Sequence, residues 1–359
     1  MKNTMKKVLA LLLALAMVLA LAACSTSETK QDEKPAQNDQ KAEAEQPSGT
    51  ESTDETAKQA SDLRIAGLIH VESYIGTMMR QGMEDAAKEY GVEMMITNYN
   101  GDTAKCVEAA NTYVAAGVDA IVTSIDDTTA KIFEDAAAKG IKIACINAVM
   151  EDYDWMCGGY TYDQAGLGRG AVEYAKKFIR ENLDGVANVH IIRVLKGSFA
   201  DARGDAFMEG IQEEFGDNAK LVSESSTYIT SEALQQATDA MTANPDINII
   251  FCEGEDALMG AYAAVENTGN AGKVFVFGID GNAQIAQYLL DPDNQILQAT
   301  CAQDPYEFAY RGTKQAIEVC LGKAEPSTQR TFLTPVELNK GDLETVQAYY
   351  DSLVAASEK

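Results

Sequence analysis

Leu63-Arg64-Ile65-Ala66-Gly67-Leu68-Ile69 is a short, almost unbroken apolar run, followed by Met79, Met83, Ala86 and Tyr90 at helical spacing before Gly91. The run is short and reads as a buried strand; the spaced residues mark one face of a helix, which Gly91 stops. The unit repeats. Strands are predicted at 92–97, 118–124 and 141–146, with helices at 104–116 and 129–139 between them. A second series follows Asp163: a helix reaching residue 179, then strands at 189–195, 221–225, 247–252 and 274–279 separated by helices. Alternating units of this kind predict the α/β class, as two doubly wound parallel-sheet lobes. Two lobes also suit a body too large for one simple layer.

The chain ahead of the body has a different composition. Met1-Lys2-Asn3-Thr4-Met5-Lys6-Lys7 is a positively charged start, and residues 8–20 are uninterrupted and apolar. The layout is that of a signal peptide over residues 1–23, too short to span hydrocarbon. Leu21-Ala22-Ala23-Cys24 fits a bacterial lipobox, in which small residues suit the peptidase and the Cys24 thiol receives the lipid. Residues 24–61 then form a polar stretch with no aromatic side chain. Such a segment buries no core and reads as a disordered linker. The expected location is the outer face of a membrane, held by lipid.

The net charge of −26 argues against nucleic acid, since phosphate contacts need clustered Lys and Arg. Six cysteines remain beyond Cys24, with no CxxC pair among them, and are expected as buried thiols. Two histidines and unclustered cysteines leave few ligands for a metal. The motifs GxSxG, HExxH, GxxxxGK[ST] and GxGxxG between a strand and a helix are missing. No enzyme activity, cofactor or metal is therefore expected.

Val118-Asp119-Ala120-Ile121-Val122, Gly140-Ile141-Lys142-Ile143, Tyr162-Asp163-Gln164-Ala165-Gly166, Asn244-Pro245-Asp246-Ile247, Gly278-Ile279-Asp280-Gly281 and Thr300-Cys301-Ala302-Gln303-Asp304-Pro305 follow one another in this chain. In this order they resemble the type I periplasmic binding proteins, of the ribose and galactose class of ABC-transporter sugar receptors, over about residues 63–338. The resemblance implies two lobes that close on a ligand and a hinge crossed near Asp163, Gln303 and Leu333. It implies an N-terminal lobe of residues 62–162 plus 304–332 and a C-terminal lobe of 163–303 plus 333–359. The implied partners are a small molecule, a sugar or polyol, and an ABC permease; a monomer is expected. A sensor that signals a sugar, nucleoside or amine-bearing ligand to a membrane kinase or chemoreceptor is the alternative, and the residues do not separate the two.

Ligands of parallel sheets sit beyond the carboxyl ends of the strands, which directs attention to Asn147, the loop after Leu195, the residues after Phe251, and Asp280. By resemblance, Asp280 is the second-lobe carboxylate, Gln303 the hinge amide and Tyr228 the second-lobe aromatic. Tyr74 lies beside the first-lobe aromatic position. Asp280 has an alternative use as a cap for the helix beginning near Asn282. Departures from the family pattern are as informative. Asn147-Ala148 keeps an amide where an Asp-Arg pair is usual. The Arg expected after Gly197 falls on Asp201, or on Arg203 with a shift of two residues; Arg203 otherwise belongs to a surface ion pair. Gly254 stands at a usual Asn, between Glu253 and Glu255. With Glu72 and Asp280, these carboxylates would suit an amine-bearing ligand, unless they face solvent as most do in so acidic a chain. His190 reads as structural, and Trp155 as packing at the core or a lobe edge.

Overall fold

The computed structural model describes residues 58–125 and 128–357. The signal peptide, Cys24 and the linker as far as residue 57 lie outside the described residues.

β1 (Arg64–Ile69), α1 (Tyr74–Tyr90), β2 (Glu93–Asn98), α2 (Thr103–Ala116), β3 (Ala120–Ile125), α3 (Ala130–Ala137), β4 (Lys142–Val149) and β5 (Met156–Thr161) open the first lobe. α4 (Gln164–Arg169), α5 (Val172–Asn182), β6 (Ala187–Arg193), α6 (Asp201–Phe215), β7 (Ala219–Ser226), α7 (Thr230–Ala243), β8 (Ile249–Cys252), α8 (Glu255–Asn267), β9 (Phe275–Ile279), α9 (Ala283–Leu290) and β10 (Leu297–Ala302) make most of the second. α10 (Pro305–Cys320) and β11 (Arg330–Phe332) return to the first lobe; β12 (Val336–Asn339) and α11 (Leu343–Ser357) end in the second.

One sheet runs β11-β5-β4-β3-β1-β2 and the other β12-β10-β9-β8-β6-β7. Every pairing is parallel except β10 with β12, which closes the second sheet with one antiparallel edge strand. The central strands are buried along both faces, as helical cover on each side requires. The turn after α1 is what a left-handed stop predicts: Gly91 has φ 67° and its N–H bonds back into the last turn. The helix expected up to residue 179 is interrupted at Gly170, where an added Cβ would lie 2.5 Å from Cys301 Sγ. β5 has no counterpart among the predicted elements.

The chain therefore passes between sheets three times, after Thr161, after Ala302 and after Phe332. The passages are bonded to one another. Asp304 N–H donates to Tyr162 Oη at 2.9 Å, and Leu333 N–H donates to the Thr161 carbonyl at 2.8 Å. Phe308 meets the Tyr162 ring edge-on at 6.5 Å between centroids. Asp304 then caps α10 by accepting from Glu307 N–H, with Pro305 at the first helical position.

Five body cysteines are buried in the cores and Cys320 is half-buried. Trp155 stacks on Tyr153 at 4.7 Å and packs against the first-lobe core. His190 lies inside the second lobe between Ser223 Oγ and Ser225 Oγ, at 2.8 and 3.1 Å.

Candidate functional site

In both sheets the carboxyl ends of the strands hold polar residues in unusual backbone conformations. Asn147, two residues before the end of β4, and Asp280, just after β9, have φ of 58° and 74°, left-handed values that Asn and Asp tolerate better than most side chains. Each is fixed through its main chain: Thr161 Oγ1 donates to the Asn147 carbonyl, and Thr300 Oγ1 to the Asp280 carbonyl, both at 2.5 Å.

Asp280 is the centre of the second-lobe cluster. Its Oδ1 accepts from Gln303 Nε2 at 2.6 Å, and its Oδ2 accepts from the Glu255 N–H at 3.2 Å, the first residue of α8. The helix after it is capped by Asn282, which accepts from Ile285 N–H at 2.8 Å, so Asp280 does not serve that cap. Burial pushes the Asp280 carboxyl up; nearby Arg203, the Gln303 amide and the Glu255 N–H oppose this, and Asp256 adds to it. Glu255 bonds Asn282 Nδ2 through Oε1. Its carboxyl is pushed up to about 7 by burial, with the Asn282 bond opposing and the charges of Asp280 and Asp256 reinforcing. Tyr74, at the start of α1 in the first lobe, lies close enough that Glu255 and Asp304 add to the burial that raises its hydroxyl to about 12. Tyr349 of α11 donates to the Gly281 carbonyl at 2.9 Å and shares the same neighbours.

The structure thus gathers Tyr74, Glu255, Asp280 and Gln303 around the second crossing. Arg203 joins them. It is buried, with Nε on Gln164 Oε1 at 2.8 Å and Nη1 on the Glu253 carbonyl at 2.5 Å, so it takes no part in a surface ion pair. Glu253, one residue from Gly254, is turned the other way. It is fully buried, Oε1 accepts from Arg193 Nη1 and Gly204 N–H, and Oε2 accepts from Val194 N–H, all at 3.1 Å. Its carboxylate is filled from within the lobe and does not reach the cluster. Asp201 is used internally only in part: Oδ2 accepts from Gly197 N–H at 2.7 Å and its carbonyl accepts from Arg193 Nη1 at 3.0 Å, while Oδ1 is buried without a hydrogen-bond partner.

The first-lobe candidates lie apart from that cluster in their bonding. Asn147 Nδ2 is 3.4 Å from His70 Nε2, and His70 Nδ1 is 3.4 Å from Ser124 Oγ. Glu72 is exposed and accepts from Asn98 Nδ2 at 2.9 Å. Tyr228 is 54 % exposed at the second lobe's rim, and its hydroxyl would sit 3.7 Å from a Cβ at Gly101 of the first lobe. The two lobes therefore approach closely there.

Sequence reasoning did not find Arg193 and Tyr349. Arg193 ends the apolar run of β6 and binds Asp205 at 2.8 Å, Glu224 at 2.5 Å and Glu253 at 3.1 Å; a lone cation closing a buried strand was its only signal. Tyr349 sits on a C-terminal helix whose packing the local pattern does not reveal.

Six buried side-chain polar atoms among the described residues have no hydrogen-bond partner, and three belong to Ser73, Glu255 and Gln303. Buried polar atoms are nearly always paired, so the orphans of Glu255 and Gln303 beside Asp280 make this the candidate place for a ligand. A cavity of about 940 Å³ runs along the crossings and reaches this place through Tyr74, Gln303 and Tyr349, although Asp280, Glu255 and Arg203 are not in its wall.

Two parallel-sheet lobes joined by three crossings, with a carboxylate and amide cluster at the hinge, define a two-lobed solute receptor. A family model described as "Periplasmic binding protein domain" matches residues 70–324. The chain belongs to this family, as a type I periplasmic sugar-binding protein of ABC transporters, and is a transport component with no catalytic role. It is 29% identical over 258 residues to the ABC transporter periplasmic-binding protein YphF of Escherichia coli, covering 68% of this chain and 76% of the relative. It is 24% identical over 263 residues to the ribose import binding protein RbsB of Bacillus subtilis, covering 72% and 81%. Among solved structures, an Actinobacillus succinogenes solute-binding protein with bound D-allose superposes with a TM-score of 0.67 at 26% identity, covering 79% of this chain and 99% of the other. An Agrobacterium radiobacter protein in complex with D-arabinose gives 0.72 at 22%, covering 82% and 99%. The family is extracytoplasmic, and no helix among the described residues is long and apolar enough to cross a membrane.

Proposed function

We propose that this chain is a lipoprotein, anchored through Cys24, that captures one small polyhydroxylated solute between its lobes and delivers it to an ABC importer. The observation that carries the reading is the Asp280–Gln303 pair: a buried carboxylate and amide at a crossing, bonded to each other and leaving Gln303 Oε1 unsatisfied. Polyol hydroxyls supply the donors such groups lack, and the relatives named for ribose and D-allose favour a sugar. In this reading residues 62–162 with 304–332 form one lobe, and 163–303 with 333–359 the other. Arg203 and Tyr74 complete the solute contacts, Tyr228 closes the rim, and the receptor acts as a monomer.

A thermal-shift screen of the Cys24→Ser chain against pentoses, hexoses, polyols and nucleosides tests the reading, because a solute bound only by the folded state raises the melting temperature. A sugar or polyol hit is expected; a nucleoside hit alone removes the sugar assignment. Cys24→Ser should release the protein from membranes without changing solute affinity, and retention in the membrane fraction would refute anchoring at Cys24.

A further inference from the structure

Gln303 is 6 % exposed, and its orientation is set by its neighbour. Its Nε2 donates to Asp280 Oδ1, so the amide nitrogen faces Asp280 and the amide oxygen faces away, buried and without a donor. Glu255 repeats the pattern: Oε1 is bonded by Asn282, and Oε2 is buried without a donor. Gln303 Oε1 is an acceptor, and Glu255 Oε2 becomes one when its carboxyl ionises. No side chain covers Asp280 from residue 254, which is Gly; a Cβ there would touch Val194 Cγ2 at 3.2 Å and Asp280 Oδ2 at 3.5 Å.

Carboxylates outnumber cations around these atoms. Glu255 and Asp256 come from α8, Asp280 from the end of β9 and Asp304 from the second crossing, with the hydroxyls of Tyr74 and Tyr349 among them. Arg203 acts on Asp280 and Arg311 on Asp304; Arg203 is held by the Gln164 amide oxygen and the Glu253 main-chain carbonyl, both uncharged, so two cations stand against the carboxylates. Arg193 is bound to carboxylates inside the lobe. Buried acceptors without donors, beside an excess of carboxylates, match a group that brings several donors and a positive charge.

We propose that the solute is an amine-bearing sugar or polyol whose protonated amine sits among Glu255 Oε2, Gln303 Oε1 and Asp280. This rests on the reading of the cleft as a solute site and narrows the solute class. Glu255 is held partly protonated near neutral pH by burial and by Asp280 and Asp256. An ammonium group favours its ionised form, so the Glu255 carboxyl O–H gives its proton to solvent as the amine binds. A neutral sugar causes no such release.

Isothermal titration of the Cys24→Ser chain with matched pairs, glucosamine against glucose, galactosamine against galactose and mannosamine against mannose, tests the proposal. Measurement at pH 6.5 in two buffers of different ionisation enthalpy reads the proton count. The expected result is at least one amino sugar bound tenfold or more tightly than its neutral partner, with net proton release, and Glu255→Gln abolishing both the preference and the release. Neutral members bound as tightly as amino members would overturn the amine assignment and leave the sugar receptor standing. No binding by any member would overturn this proposal and, if the broader solute screen is also blank, the receptor reading with it. An unchanged preference in Glu255→Gln would remove Glu255 from the site.

Discussion

Gln303 Nε2 donates to Asp280 Oδ1 at 2.6 Å, which ties the second crossing of the hinge to the end of a second-lobe strand. Asp280→Asn keeps a residue that tolerates φ of 74° and removes the charge. Solute affinity is expected to fall by about ten- to a hundredfold, the equivalent of one charged hydrogen bond at about 1.5–3 kcal/mol. The melting temperature of the unliganded protein should not fall, since burial already disfavours the ionised form. Titration calorimetry and a melting curve check both; unchanged affinity would take Asp280 out of the site.

Glu253 has the opposite character. Its carboxylate satisfies Arg193 and two backbone N–H groups in the interior, and Gly204 leaves room for it, because a Cβ there would come within 2.7 Å of Oε1. Glu253→Ala leaves Arg193 and the amides without that acceptor, and the expected loss is about 3–5 kcal/mol of stability. Urea unfolding measures it. A midpoint like that of the parent chain would show that this network does not hold the lobe together.

Two titrations pull the stability of the unliganded protein in opposite directions. Burial lowers His190 to about 4, so the stability gained from its neutral form is present above pH 6.5 and is lost as pH falls towards 4. Glu255, raised to about 7, contributes stability that is full below about 4.5 and is lost as pH rises through 7. Each shift corresponds to at most about 3 kcal/mol. His190→Gln should flatten the acid side of a stability profile, and Glu255→Gln should gain on the parent at pH 8 but not at pH 4. Denaturation at pH 4, 6 and 8 compares the three chains; parallel profiles would contradict both assignments.

Gly82 lets α1 approach α10: an added Cβ would stand 2.4 Å from the Tyr306 carbonyl oxygen. Alanine favours a helix over glycine by about 1 kcal/mol, while overpacking costs about 1–3 kcal/mol. The contact is with backbone, which cannot rotate away, so Gly82→Ala should be destabilising on balance. A raised melting temperature would show that the helices separate at little cost.

The alternation of strand and helix was legible because buried parallel strands are apolar throughout and their helices carry one apolar stripe. β5 escaped notice because Met156-Cys157-Gly158-Gly159-Tyr160-Thr161 has two central glycines. They are there for close approach: a Cβ at Gly158 would lie 2.6 Å from Gln315 Cγ, and one at Gly159 3.1 Å from Met156 Sδ. At the site, the strand-end rule pointed to Asp280, Asn147 and the loop after Phe251. It did not separate Glu253 from Glu255. That depends on Arg193, which reaches one carboxylate from a neighbouring strand and leaves the other to Asn282 beside Asp280, a difference fixed by tertiary contact alone. The uncertainty between Asp201 and Arg203 had the same origin, since the loop after β6 turns Asp201 back on Gly197 and carries Arg203 under Glu253.

Lys58 bonds Asp119 at the start of β3, and Asp119 also accepts from Arg64 N–H at 2.9 Å at the start of β1. These are the amino ends of the strands, the pole of the first lobe opposite the carboxyl ends where Asn147 lies. Lys58 therefore begins the described chain on the first lobe, and the backbone reaches the second through the three crossings. Were the protein held at that end by the proposed lipid anchor, the first lobe would be the stator and the second the rotor, and a partner gripping both lobes would read the angle of a moving part against a fixed one.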